Sequence, residues 1–105
     1  MAKYLVVYKG GMPAEPPTPK AREKSMAAWT KWFTKLGAAV TDMGSATGPA
    51  MTMGTDGATK KGASSKLSGY SMVEAKDMAA ALKLVKGCPH FKSGGTIEVH
   101  ETIAM

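Results

Sequence analysis

Two helical periodicities set among runs of strand-forming residues predict an α+β protein. Met26, Trp29, Phe33 and Leu36 recur at steps of three and four, one stripe of an amphipathic helix. An alanine-rich stretch from Met78 to Val85, behind the cap residue Asp77, supplies the second helix. Strand-like runs at residues 3–8, 38–43, 68–74 and 96–101 alternate with them. The order β-α-β-(β)-β-α-β is the split-βαβ, ferredoxin-like arrangement with a small inserted hairpin or loop.

Each element has its own local reason. Residues 3–8, Lys-Tyr-Leu-Val-Val-Tyr, read as a buried strand. Gly10-Gly11 and the prolines Pro13, Pro16, Pro17 and Pro19 break it into a stiff loop. Thr18 fits an N-cap, with Pro19 at the first helical position, where a missing N–H costs nothing. Trp32 widens the apolar stripe, most of the lysines and Glu23 fall off it, and Gly37 is the stop signal. Residues 38–43 form the second strand. Residues 44–67 are rich in Gly, Ser, Thr, Ala and Lys. A bare connection of that length is unusual in a compact domain, so a flap or a hidden hairpin is expected. Met51-Thr52-Met53 is its best strand and Thr55-Asp56-Gly57 its best turn. After the second helix, Lys86-Gly87 is the stop, followed by Cys88-Pro89-His90, Gly94-Gly95 and an alternating last strand.

The 105 residues fit a single domain, residues 1–105, with one modest core. Hydrophobic content of 44% and charged content of 21% are ordinary for a globular chain. No apolar run nears the ~20 residues of a membrane-spanning helix, and the opening strand is too short for a signal-peptide core. A single cysteine, Cys88, excludes an internal disulfide and fits a reducing cytoplasm. The net charge of +6 comes from scattered lysines and the sole arginine, Arg22. Arginine forks and aromatic platforms are missing, so a nucleic-acid partner is not expected. Two helices on one face of an antiparallel sheet leave the other face to be covered, which predicts a two-fold homodimer.

The strand at 3–8, the Gly48-Pro49 turn, Ser68-Gly69-Tyr70 and Val73-Glu74-Ala75-Lys76-Asp77 together carry a resemblance. With Lys86-Gly87-Cys88-Pro89 and Gly94-Gly95-Thr96-Ile97-Glu98-Val99, the chain is similar to the YCII-related, DGPF-type small domains of bacteria. The similarity runs over nearly the whole chain and is strongest after residue 68. It implies a dimeric α+β barrel with ligand clefts between the helices, the Gly-Pro loop and the sheet. It implies no settled activity. Thr47-Gly48-Pro49-Ala50 stands where the family has Asp-Gly-Pro-Phe. The first helix has Trp29 near the place where better-studied relatives carry a catalytic histidine paired with an aspartate. That histidine–aspartate pair is therefore not transferred to this chain.

His90 is the first candidate for chemistry, since irregular backbone beyond a helix can aim an imidazole into a cleft as acid or base. Asp42, ending the second strand, is the second catalytic candidate, to orient that histidine or, if buried, to act as an acid; the bland alternative is a turn-starting aspartate. Trp29 and Trp32, with Phe33, are candidates to wall an aromatic pocket, and Lys60 and Lys61 to hold an anionic substrate. Glu98 and His100 share one face of the last strand, leaving Ile97 and Val99 for the core. No metal-ligand spacing and no phosphate loop is present, so no metal or cofactor is expected. These residues point to a small acidic or aromatic ligand, with isomerase- or lyase-type proton transfer if the protein is an enzyme. The alternative is a non-catalytic interaction or sensory module linked to transcription regulation.

Overall fold

In a computed structural model that describes residues 2–10 and 18–103, four antiparallel strands form one sheet under two helices. The strands are β1 (Ala2–Lys9), β2 (Val40–Ala46), β5 (Leu67–Ala75) and β6 (Thr96–Glu101), in the spatial order β2-β5-β1-β6. The helices are α1 (Pro19–Leu36) and α2 (Met78–Val85). A separate two-stranded ribbon pairs β3 (Met51–Met53) with β4 (Thr59–Lys61). The protein is α+β, as its periodicities predict. Of the proline-rich loop, Gly11, Pro13, Pro16 and Pro17 lie outside the described residues.

Local chemistry sets the helix ends. The Thr18 hydroxyl accepts from the Ala21 N–H and Pro19 opens α1, so both start signals act as read. The Asp77 carboxylate does the same for α2, accepting from the Ala80 N–H at 2.9 Å. Gly37, at φ +59°, takes the left-handed turn that ends α1.

The second strand differs from its expected span of 38–43. A 3₁₀ turn occupies Gly37–Ala39, and β2 then runs on to Ala46 through residues that read as loop. The continuation depends on two register shifts against β5, one between Val40 and Asp42, the next between Asp42 and Ser45. Gly44, at φ +73°, sits in the second shift. A Cβ there would fall 1.8 Å from the Tyr70 carbonyl oxygen, so no other residue fits. Bulges of this kind leave little trace in hydrophobic alternation.

Alternation along β1 and β5 divides the sheet into two faces. Tyr4, Val6 and Tyr8, with Ser71, Val73 and Ala75, are buried on the helical side. Trp32 of α1, Ala81 and Val85 of α2, and Cys88 close this core from above. Ile97 and Val99 pack against it, as their parity on β6 predicts. Leu5, Val7, Tyr70 and Met72 are half-buried on the opposite face, with Leu5 facing Met72 and Val7 facing Tyr70 across the strand pair. That face also holds Glu98, which bonds both the Lys9 ammonium at 2.9 Å and the His100 ring at 3.0 Å. The Lys9 bond, then the His100 bond, keeps the Glu98 carboxyl below its ordinary range.

Candidate functional site

Between α1 and the β2–β5–β1 part of the sheet lies a cavity of about 530 Å³. Its helix wall is made by Trp29 and Phe33, one turn apart, with Met26, Ser25 and Thr30 toward the mouth. The sheet side is made by Tyr8, Ser71 and Gly69, and the β2 edge by residues 43–47. His90 closes one end. Met26 belongs to the predicted apolar stripe, yet it is 65% exposed because it stands at this mouth and not over the core.

The aromatic rings form a connected wall. Tyr8 meets Trp29 edge-on at 5.1 Å, and Trp29 meets Trp32 edge-on at 5.7 Å and Phe33 at 5.9 Å. Edge-to-face contacts of this length favour a fixed geometry over simple area burial. Trp32 lies behind this wall in the core and does not line the cavity.

A chain of hydrogen bonds fixes the floor. The Ser71 hydroxyl is fully buried and donates its proton to the Met43 carbonyl at 2.7 Å. Its oxygen also lies 2.8 Å from the Tyr8 hydroxyl. Since Ser71 has no second proton to give, Tyr8 is the donor in that bond. The phenol oxygen keeps its lone pairs. Burial pushes the Tyr8 phenol up to about 12, so this floor is uncharged at physiological pH.

His90, 6% exposed, is held by two features. Its Nε2 lies 3.0 Å from the Lys9 carbonyl oxygen, which can only accept, so that nitrogen carries a proton. In the neutral ring Nδ1 then carries only a lone pair and is the nitrogen that can accept a hydrogen bond or a proton. The Nε2 side of the ring packs against Gly95, where a Cβ would come within 2.1 Å of Nε2. The Gly94-Gly95 pair therefore seats the imidazole as well as turning the chain. Nearby Cys88 is buried and its thiol is pushed up to about 11 by burial, which suits packing and not nucleophilic attack.

Of the residues singled out from the sequence, the cavity brings together His90, Trp29 and Phe33. Asp42 is exposed and lies outside the lining; its carboxylate accepts from the Gly44 N–H at 2.8 Å, an Asx turn that supports the β2 bulge. Lys60 and Lys61 are exposed on β4, also outside the lining. Sequence reading missed Tyr8 and Ser71. Their signal was present: a hydroxyl at an inward position of each central strand needs a partner, and each is the other's.

No Asp, Glu, Lys or Arg lines the cavity among the described residues. Among them, too, no group of three or more His, Cys, Asp or Glu could hold a metal ion, and no helix is long and apolar enough to cross a membrane. A scan against protein-family models and a search of curated proteins found no match to the chain.

Proposed function

We propose that the chain is a YCII-related, ferredoxin-like protomer of a homodimer whose cleft binds a small molecule. The observation that carries the ligand reading is the roofed cavity itself: an aromatic wall, a satisfied polar floor and a buried histidine in one place. Between the acidic and aromatic ligands expected from the sequence, the uncharged lining favours the aromatic one. With β3 and β4 set aside, the spatial order second, third, first and fourth strand supports the ferredoxin-like reading. The half-buried apolar face opposite the helices supports the homodimer. Where the bound molecule has an exchangeable proton, His90 Nδ1 is the acid or base for an isomerase- or lyase-type step.

Thermal unfolding against a panel of phenols, lactones and small organic acids tests this. A ligand at about 100 times its dissociation constant adds ~2.7 kcal/mol, a rise of roughly 10 °C or more in a domain of this size. The shift is expected in wild type, reduced in His90→Ala and absent in Thr30→Trp, which fills the mouth from an exposed helix position. Equal shifts in all three would place the ligand elsewhere.

A second reading is favoured by one observation. Met51 and Met53 are 62% and 69% exposed on the β3–β4 ribbon beside Lys60 and Lys61, a surface suited to a protein partner. On that reading the same panel gives no shift.

A further inference from the structure

On the sheet side of the cavity the side-chain protons are spent on the protein itself. Ser45 donates to the Ala46 carbonyl, Thr47 to the Leu67 carbonyl and Ser68 to the Tyr8 carbonyl, each at 3.0 Å. Ser71 donates to Met43, Tyr8 to Ser71, and His90 Nε2 to Lys9. The main-chain N–H groups along the same rim are also engaged: Gly10 with the Lys66 carbonyl, Gly44 with Asp42 and Thr47 with the Ser68 carbonyl. What the sheet side offers a ligand is therefore lone pairs, the Tyr8 phenol oxygen among them. The donors of the lining, the hydroxyls of Ser25 and Thr30 and the Trp29 indole N–H, all lie on the helix side.

From this one-sidedness we infer that the cavity selects an uncharged aromatic molecule that donates a hydrogen bond, such as a phenol or an indole, and discriminates against aromatic carboxylates. The inference rests on reading the cavity as a ligand site. A carboxylate brings only acceptors to a floor of acceptors, with no lysine or arginine among the described lining residues to offset its desolvation. An aromatic cation meets the opposite difficulty: no carboxylate among the described residues lines the cavity, and the chain as a whole carries +6. A neutral ring stacks on Trp29 and Phe33 and donates a hydrogen bond from its O–H or N–H to the Tyr8 oxygen. That oxygen is free to accept because its own proton is fixed on Ser71.

Calorimetric titration of the full chain with 2-naphthol, 2-methoxynaphthalene and 2-naphthoate at neutral pH tests it. The three share a ring system and differ in donor and charge. The expected result is 2-naphthol binding at least about tenfold more tightly than either of the others. In Tyr8→Phe, which leaves Ser71 its bond to Met43, the preference for 2-naphthol over the methyl ether is expected to vanish. Equal or tighter binding of 2-naphthoate overturns the inference and leaves the cavity as a ligand site. So does equal binding of the methyl ether to wild type, or a naphthol preference that survives in Tyr8→Phe. If none of the three binds, the ligand reading of the cavity falls with it.

Discussion

Ser71 is the residue that ties the cavity floor together. It is fully buried, accepts from Tyr8 and donates to Met43, linking β1, β5 and β2 through a single oxygen. Ser71→Ala strands the Tyr8 hydroxyl and the Met43 carbonyl together. A loss of about 1–3 kcal/mol in denaturant unfolding is expected, whereas Tyr8→Phe, which leaves Ser71 a partner, costs less. Burial also sets a pH signature. Tyr8 and Cys88 are pushed up to about 12 and about 11 from ordinary values of 10.0 and 9.0. Over that range the folded chain keeps protons that the unfolded chain has lost, so stability falls as pH rises. A thermal midpoint level below pH ~8 that declines from pH ~9 upward is expected, with the first part of the decline removed in Cys88→Ala. A midpoint unchanged to pH ~11 would contradict it.

Among the elements, those with strong local signals were legible in the sequence. Thr18-Pro19 and Asp77 started the helices, Gly37 ended the first, and parity on β6 put Ile97 and Val99 inward. The span of β2 was not legible, because its bulges and the left-handed Gly44 are answers to the Tyr70 carbonyl, a contact across 26 residues of sequence. The same holds for the site. His90 and Trp29 stood out by residue type, but the Tyr8–Ser71 bond spans 63 positions and appears only once β1 and β5 are in register. The β3–β4 ribbon was legible as a strand and a turn. It keeps its hydrogen bonds to itself, Gly54 N–H to the Ala58 carbonyl and Gly62 N–H to the Ala50 carbonyl, each at 2.8 Å. Replacing residues 51–61 by a short Gly-Ser linker should therefore move the thermal midpoint by only a few degrees. A collapse of the fold would show that the ribbon supports the body.

For the whole molecule, one sheet under one helical layer gives a flat shape, 44 × 43 × 19 Å, with a radius of gyration of 15.2 Å. A compact chain of this length has about 13 Å. Leu5, Val7, Tyr70 and Met72 make the underside of that plate more apolar than a solvated face needs. The homodimer reading predicts twice the protomer mass in sedimentation equilibrium, and a monomer from Val7→Glu with the helical signal retained. A wild-type monomer at high micromolar concentration would refute it.

The central claim is that the cavity under α1 is where this protein meets its ligand. The measurement that tests it most directly is an amide and indole NMR titration with 2-naphthol. The predicted result is shifts at Gly44, Gly69, Ser71, His90 and the Trp29 indole, with the amides of β3 and β4 unmoved. Shifts confined to β3 and β4, or spread over the apolar underside with Trp29 silent, would contradict it.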